Sequence, residues 1–340
     1  MGGAGGSGGP GGLGGAGASS GAGVLRFARI CVLHSRLGAM LGAELARRCS
    51  DVDVVVLGST DEPPDPQSID ILVANSIPPG LLGRCRRLRW LQLTSTGVDQ
   101  LAGEALPPGL LVTHAGTVPA RAVAEFVWMG VLALAKDVTM LWRQQSTRQW
   151  RLPQARLVAG STLVLVGLGN IGAEIARRAP AFDVRVLAVT RRGRPSPLAD
   201  EVVTPQHLVR VAGRADHLVL AVPATPQTRG LVSAEVVRAL PPGASIVNVA
   251  RASVLDTDAL VDALRSRRLR GALLDVVEDE PLPAGSPLWD VDGLWITPHT
   301  AFLYPGEATD LAALTAANLS RLRTGRALQN QADLSSLAGS

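Results

Sequence analysis

Short apolar runs alternate with amphipathic segments along the first third of the chain. Between residues 29 and 113, five such runs are bounded by Gly, Pro, Asp or Ser, as is typical of strands buried on both faces. These predicted strands cover residues 30–33, 52–57, 69–73, 90–93 and 110–113. Leu41 and Leu45 lie at helical spacing within residues 38–48, which predicts a helix between the first two strands. Strands that alternate with helices predict a parallel sheet covered by helices on both sides.

The same alternation begins again after a long apolar segment. Residues 120–142 predict one long helix that crosses between two domains, and Pro153 and Gly160 end the connection that follows it. A helix is predicted over residues 171–178 and another over residues 308–323, the latter packing back on the first domain. The further predicted strands cover residues 162–166, 184–189, 217–221, 245–249, 271–275 and 294–296. The chain is therefore predicted to be an α/β protein with two doubly wound parallel-sheet domains.

The predicted domain division follows from this pattern and from the composition of the ends. The first domain takes residues 24–118 and 301–330, and the second takes residues 119–300. Residues 1–23 are almost entirely Gly, Ala and Ser, so they are expected to form a disordered tail, because such a segment buries too little side chain to offset its ordering entropy. Residues 331–340 are expected to form a flexible C-terminal tail.

Charge and cysteine content narrow the function classes. The formal net charge is +4, but the positive residues are scattered arginines with Lys136 as the single lysine, which argues against nucleic acid as a partner. Cys31, Cys49 and Cys85 show no metal-ligand spacing, so no metal site is expected and the thiols are interpreted as buried and inert. The longest uncharged apolar stretch, residues 126–135, is about half of the ~20 residues that a membrane span needs. We expect a cytoplasmic protein without a membrane partner.

A glycine-rich turn carries the first chemical signal. Gly167, Gly169 and Gly172 form a G-x-G-x-x-G pattern that follows a predicted strand and opens a predicted helix. The first glycine permits a tight turn, the second lets the backbone approach a pyrophosphate, and the third lets helix and strand pack closely. The N–H groups at the helix start, which include those of Asn170 and Ile171, then hold phosphates. In this context dinucleotide binding is favoured over the alternative, a glycine turn without a ligand.

The end of the next predicted strand indicates which dinucleotide binds. An NAD site usually places an acidic residue here for the ribose 2′-hydroxyl, whereas this chain has Thr190, Arg191 and Arg192. Arginine offers a charge-assisted fork that matches a 2′-phosphate. NADP(H) is therefore favoured, with Arg191 as the first-choice ligand. NAD(H) stays possible, since the arginines could be solvated loop residues.

Three further residues follow predicted strands in the second domain. Arg251 is delivered to the carboxyl edge of the sheet, where it suits a substrate carboxylate or a carbonyl oxygen that gains negative charge. His299 is suited to proton transfer because its ordinary pKa lies near ~6.5. Glu280, in the acidic segment before Pro281, can orient the imidazole ring. Together they indicate transfer of a hydride and a proton between a carbonyl and an alcohol.

Over residues 29–323 the chain resembles the D-isomer-specific 2-hydroxyacid dehydrogenases. The resemblance is carried by the glycine turn and by segments 222–230, 247–251, 274–283, 286–289 and 297–299, and more loosely by Ser95–Asp99 and Ala122–Glu125. It implies a flavodoxin-like substrate domain, a Rossmann NAD(P)-binding domain and a homodimer. It also implies hydride transfer between NAD(P)H and a small 2-keto acid or D-2-hydroxy acid.

The resemblance assigns roles to single residues. Arg251 would bind the substrate carboxylate and carbonyl, His299 would be the general acid and base, and Glu280 its partner. Asp275 would hold the nicotinamide amide. The remaining cofactor contacts would come from Val222, Pro223, Thr228 and Ala250, and the substrate contacts from Asn75, Ser76, Thr96 and Gly97.

Two segments point to a branch of the family. Residues 150–153 and 190–192 are similar to the glyoxylate/hydroxypyruvate reductase-like members, which favours NADPH. Departures from the family pattern at residues 116–119, 252 and 300–302 affect the substrate pocket. One alternative is a formate or phosphite dehydrogenase, although formate dehydrogenases carry Gln where this chain has Glu280. The other is a corepressor-like protein that senses NAD(P), which only turnover of a small keto acid would separate from an enzyme.

Overall fold

The chain folds into two α/β units, each built on a parallel sheet. The computed structural model describes residues 1–2, 27–58, 61, 63–332 and 334. The strands of the first sheet are β1 (Arg29–Leu33), β2 (Asp53–Leu57), β3 (Ile71–Ala74), β4 (Trp90–Leu93) and β5 (Leu111–Thr113). Those of the second are β6 (Thr162–Val166), β7 (Arg185–Val189), β8 (Glu201–Val203), β9 (His217–Leu220), β10 (Ser245–Asn248), β11 (Gly271–Leu274) and β12 (Leu294–Ile296).

Helices connect these strands and cover both faces of each sheet. They are α1 (Gly38–Arg48), α2 (Leu81–Arg84), α3 (Ala120–Lys136), α4 (Val138–Ser146), α5 (Asn170–Arg178), α6 (Leu208–Ala212), α7 (Ala234–Ala239), α8 (Thr257–Arg265) and α9 (Glu307–Arg323). The expected α/β class with two doubly wound parallel-sheet domains is confirmed.

The first sheet has the strand order β2-β1-β3-β4-β5, and every pair in it is parallel. This order is the flavodoxin-like one, as expected. The prediction that every strand is buried on both faces is wrong for β2, whose residues are exposed or half-buried. The reason is its position, because an edge strand has a neighbour on one side only.

The second sheet has the order β12-β11-β10-β9-β6-β7-β8, again with parallel pairs. Read from β6, this is the doubly wound order of dinucleotide-binding domains with one added strand. The order reverses between β6 and β9, and ligands of such sheets bind outside the carboxyl ends of the strands at that point. The edge strand β8, which has three residues, was not predicted from the sequence.

The predicted single helix over residues 120–142 is wrong. It divides into α3 and α4 at Asp137, whose φ of 58° lies in the left-handed region and ends α3. α3 is buried against the second sheet, and a Cβ on Gly130 would collide with Leu273 of β11. Its close approach anchors α3 to this sheet.

Helix α9 follows the second sheet but packs on the first unit. Leu311 and Ala312 share a core with Leu41 of α1 and Ile30 of β1. Within the predicted C-terminal tail, Gln331 forms an antiparallel bridge with Thr113. The rest of that tail, apart from residues 332 and 334, and residues 3–23 of the predicted N-terminal tail lie outside the described residues, and the domain boundaries stay a prediction.

The three thiols are buried, as expected from the sequence. Cys31, Cys49 and Cys85 are buried free cysteines, and burial raises the pKa of each thiol, that of Cys31 to about 12. Such thiols stay protonated near neutral pH and are poor nucleophiles. In the part of the chain that the structure describes, no helix is both long and apolar enough to cross a membrane.

Candidate active site

A cavity of about 770 Å³ lies between the carboxyl ends of the two sheets. Residues from both units line it, including the loop after β4, the start of α5 and the loop after β10. The predicted cofactor residues that line it are Gly169, Asn170, Ile171, Val222, Pro223 and Ala250. Arg251, Thr96 and Gly97 also line it. The cavity therefore brings the glycine turn, the predicted substrate arginine and part of the predicted substrate loop together.

The glycine turn has the geometry that the motif predicts. Gly167 has a φ of 104°, and a Cβ there would lie 2.6 Å from the carbonyl oxygen of Ala221. A Cβ on Gly172 would collide with the carbonyl oxygen of Gly167, so turn and helix can pack only with glycine at this position. At Gly169 a Cβ would meet no atom within 4 Å. The turn thus presents open backbone and the start of α5 to the cavity, which fits a pyrophosphate.

The loop after β7 carries the predicted ribose contacts. Thr190 Oγ1 accepts a hydrogen bond of 3.1 Å from the N–H of Gly193, whose φ is 60°. Arg191 and Arg192 are exposed, and neither has an ion pair within the described residues. This loop therefore offers cations and no carboxylate at the position that selects between the two dinucleotides.

Thr228 supports a neighbouring loop from within rather than lining the cavity. Its Oγ1 donates to the carbonyl oxygen of Pro223 at 2.7 Å and accepts from the N–H of Thr225 at 2.8 Å. These bonds fix the turn that brings Val222 and Pro223 to the cavity wall. The predicted direct cofactor contact of Thr228 stays a prediction.

Arg251 is held by contacts at both its backbone and its side chain. Buried Asn248 accepts from the N–H of Ala250 at 3.0 Å and donates to the carbonyl oxygen of Arg251 at 3.2 Å. Arg251 Nη1 donates to the carbonyl oxygen of Ala250 at 2.8 Å. Its Nε and Nη2 donate to the two carboxylate oxygens of Asp99, each at 3.1 Å. Because the loop after β4 supplies Asp99, this ion pair joins the two units across the cleft.

His299 and Glu280 meet, as the sequence predicted they could. His299 Nδ1 lies 2.8 Å from Glu280 Oε2, and Glu280 Oε1 accepts from the N–H of Val277 at 3.2 Å. An ionised carboxylate only accepts hydrogen bonds, so Nδ1 carries the proton and Nε2 is left for another partner. Neither side chain belongs to the lining of the 770 Å³ cavity. The pair is suited to hold an imidazole ready for proton transfer.

Asp275 organises the turn that carries His299. Its side chain is buried, and Oδ1 accepts from Thr297 Oγ1 at 2.7 Å and from the N–H of Thr300 at 2.8 Å. Oδ2 accepts from the N–H of Ala301 at 3.0 Å. These bonds stabilise a backbone in which His299 has a φ of 50°. The predicted contact of Asp275 with a nicotinamide amide stays a prediction, for which Oδ2 retains accepting capacity.

Two of the predicted substrate residues do not reach the cavity lining. Asn75 and Ser76 follow β3, and the side-chain oxygen of Asn75 is buried without a hydrogen-bond partner in the described chain. Such an orphaned acceptor is costly unless a ligand or water satisfies it.

Several residues of the cavity wall had no role predicted from the sequence. Burial lowers the pKa of His114, whose Nδ1 accepts from the N–H of Gly116 at 3.0 Å. His114 follows β5, so its place at a strand end was the available signal. The wall residues that were missed are Val98, Asp99, Ala102, His114, Gly116, Ala221, Ala224, Thr225, Pro226, Arg229, Val249, Ser253 and Ala332. Among the described residues no cluster of His, Cys, Asp or Glu could hold a metal ion.

Comparison with known proteins decides the family. The family described as "D-isomer specific 2-hydroxyacid dehydrogenase, NAD binding domain" matches residues 128–301, about half of the chain. The chain belongs to this family. It is an NAD(P)-dependent oxidoreductase of the D-2-hydroxyacid dehydrogenase type, as the resemblance implied.

Relatives that match almost the full length of the chain support the same family. A glyoxylate reductase from Thermofilum pendens is 32% identical over 86% of this chain and 91% of its own length. A D-isomer specific 2-hydroxyacid dehydrogenase from Xanthobacter autotrophicus Py2, solved in complex with NADPH and MES, is 30% identical. It covers 89% of this chain and 98% of its own with a TM-score of 0.80. A glyoxylate/hydroxypyruvate reductase from Sinorhizobium meliloti shares the fold, with a TM-score of 0.82 at 24% identity over 91% of this dehydrogenase and 99% of its own chain.

Proposed function

We propose that this dehydrogenase reduces a small 2-keto acid of the glyoxylate or hydroxypyruvate class to the corresponding 2-hydroxy acid, of D configuration where C2 of the product is a stereocentre, with NADPH as the preferred cofactor. The observation that carries the proposal is the 2.8 Å contact between His299 Nδ1 and Glu280 Oε2. Reduction of a ketone needs a proton on oxygen, and this pair can provide it. Oxidation of formate releases carbon dioxide without such a proton, so the pair disfavours the formate alternative.

Each residue of the candidate site has its own role in the proposed reaction. NADPH, when bound, supplies the hydride that reaches the carbonyl carbon. Arg251 binds the substrate carboxylate and polarises the carbonyl oxygen through charge-assisted hydrogen bonds. His299 donates a proton to that oxygen from Nε2 and becomes neutral. Glu280 orients the ring through Nδ1 and stabilises the protonated imidazole before the transfer. In the oxidative direction His299 takes the proton back.

Different loops would hold the different parts of the cofactor. The turn at Gly169 and the N-terminal end of α5 hold the pyrophosphate, and Arg191 and Arg192 hold the 2′-phosphate of NADPH. Two facts support the preference: no acidic residue occurs between residues 190 and 194, and the Xanthobacter relative was solved with NADPH. Asp275 or the wall residues Val222, Pro223 and Ala250 would contact the nicotinamide side.

We further propose that the enzyme is a cytoplasmic homodimer. Support for the dimer comes from the family resemblance and from large apolar side chains exposed on α4 and the segment after it, among them Trp142, Trp150 and Leu152. Apolar side chains exposed close together in one segment are typical of a contact surface.

The catalytic assignment is tested with glyoxylate and NADPH and the variants Arg251→Ala and His299→Ala. Loss of the proton donor is expected to lower kcat by about 10²- to 10⁴-fold. Loss of Arg251 is expected to lower kcat/KM by a similar order, since it acts on a developing charge. The decay of NADPH absorbance measures both. His207→Ala, at an exposed histidine, is the control and is expected to match the wild type. Tight NADPH binding without turnover of any small 2-keto acid would contradict the proposal and favour a sensor.

A further inference from the structure

We propose that Asp99 is a positioning residue that fixes the substrate-binding edge of Arg251. The proposal rests on the proposed function, in which Arg251 binds the 2-keto acid. Asp99 lies in the loop after β4 of the first unit, whereas Arg251 follows β10 of the second. Their ion pair lies in the wall of the 770 Å³ cavity, which Gly169 of the glycine turn also lines.

The loop around Asp99 is shaped to make this contact. Ser95 Oγ donates to the carbonyl oxygen of Gly97 and accepts from Gln100 Nε2, each at 2.8 Å. A Cβ on Gly97 would collide with the Asp99 carboxylate and with Arg251 Nη2. A larger residue at position 97 would thus separate the pair. Gly97 was predicted as a substrate contact, and this geometry gives it a second reason to be glycine.

The hydrogen-bond inventory of the guanidinium shows what the pair leaves available. A guanidinium has five N–H donors in a rigid plane. Nε and one N–H of Nη2 bind the two oxygens of Asp99, and one N–H of Nη1 binds the carbonyl oxygen of Ala250. One N–H on Nη1 and one on Nη2 are left over. Two donors on adjacent nitrogens match two oxygens of a 2-keto acid.

The same pair removes the net charge from the substrate arginine. Among the described residues that line the cavity, Asp99 and Arg251 offset each other, and Arg229 is the other arginine. Burial lowers the pKa of His114, so this ring is neutral near neutral pH. Coulomb attraction alone would therefore bind an anionic substrate more tightly if Asp99 were removed. Positioning predicts the opposite, because an arginine released from Asp99 must be ordered again each time substrate binds.

The two effects change KM in opposite directions, so the variants Asp99→Asn and Asp99→Ala distinguish them. With glyoxylate and saturating NADPH, we expect Asp99→Ala to raise KM by about tenfold or more, with a smaller fall in kcat. Asp99→Asn keeps the shape and one acceptor, so its KM is expected to lie between those of the wild type and the Ala variant. NADPH affinity, measured by fluorescence, is expected to stay within about twofold, since the site of the cofactor phosphates is untouched. Asp292→Asn breaks an exposed Asp–Arg pair, with Arg143, of the same 3.1 Å length and is the matched control.

A double variant tests whether Asp99 acts through Arg251. Lysine at position 251 keeps a charge but lacks the guanidinium fork. In the Arg251→Lys background, Asp99→Asn is expected to change KM by no more than about twofold, because coupled residues are not additive. Additive effects would overturn the proposal.

The remaining outcomes separate this inference from the proposed function. An unchanged KM in both Asp99 variants would overturn the positioning role. A lowered KM would also overturn it and would identify Asp99 as a competitor that occupies the arginine. Full activity in Arg251→Ala would instead defeat the proposed function itself.

Discussion

His217 and His299 show how the surroundings of an imidazole decide its role. His217 lies in β9 and is 6% exposed, and its Nδ1 is 2.8 Å from Ser245 Oγ on the neighbouring strand β10. Burial lowers the pKa of His217 to about 4, with smaller effects from nearby Asp216, Arg156 and Arg270. The side chain of His299 is 38% exposed and has a carboxylate partner. One ring is therefore a neutral part of the sheet, whereas the other is suited to exchange protons.

His217 predicts an acid-dependent loss of stability. Its folded pKa of about 4 lies below the unfolded value near 6.5, so the unfolded chain takes up protons first as the pH falls. The stability that the neutral His217 ring contributes is complete above pH ~6.5 and is lost as the pH falls toward ~4. The free energy of unfolding therefore decreases by about 2 kcal/mol between pH 7 and 5. We expect His217→Gln to lower the free energy of unfolding at pH 7 but to reduce its dependence on pH. Urea unfolding at pH 7 and at pH 5 measures both effects. His207→Gln, at an exposed site, is expected to keep the wild-type slope; an equal slope in His217→Gln would refute the assignment.

At the scale of single elements, periodicity predicted the buried strands and α1 well. Helix α1 has the predicted bounds, 38–48, because Leu41 and Leu45 mark its buried face within clear ends. The break at Asp137 was missed, since apolar residues occur both before it in α3 and after it in α4, and no Gly or Pro marks the turn. Strand β8 is too short to show a period. Local pattern therefore identifies helices and strands with a clear run of buried residues and misses those whose ends or pairing depend on their neighbours.

The site was predictable where a residue follows a strand of known type. Arg251, Glu280, His299 and the glycine turn were predicted in this way. The structure brings His299 to Glu280 and places Arg251 and Gly169 in the cavity wall, while their roles stay predictions. Asp99 was not assigned a role, because its partner is 152 positions away and the two meet only after the units pack. Asn248 was missed for a different reason, because its buried amide binds backbone atoms of nearby residues, which a side-chain pattern does not reveal.

The loop after β7 predicts how the cofactor preference can be reversed. Replacing Arg191 with Ala removes a cation from a loop without carboxylates, so NADPH is expected to bind less tightly while NADH is unaffected. A charge-assisted contact of this kind is worth about 1.5–3 kcal/mol, which corresponds to roughly a 10- to 100-fold rise in KM for NADPH. Parallel kinetics with both cofactors measure the ratio. Arg185→Ala, at an exposed arginine at the start of β7, is the control. Equal losses with NADPH and NADH would show that Arg191 does not contact the 2′-phosphate.

At the scale of the whole molecule, the two sheets point their carboxyl ends at one cleft. The first supplies Thr96, Gly97 and Asp99, and the second supplies the glycine turn, Arg251 and the loops after β9 and β10. Helix α9 returns the chain to the first unit and packs on α1. The Asp99–Arg251 pair is thus a contact between the units as well as part of the cavity wall. In the proposed function, where Arg251 binds the substrate, this contact links substrate binding to the relative position of the units.

The exposed apolar segment after α4 predicts the assembly of the molecule. Trp150 is 99% and Leu152 92% exposed, and burying each against a second copy would contribute about 1.5–3 kcal/mol. Charged residues at both positions are therefore expected to weaken a dimer by at least about 100-fold. Light scattering after size exclusion should show a wild-type dimer at micromolar concentration and a monomer for Trp150→Glu/Leu152→Glu. Met40→Glu, at an exposed apolar residue on α1, should leave the dimer intact. A monomeric wild type, or a dimer that survives both charges, would mean that this segment is not the contact surface.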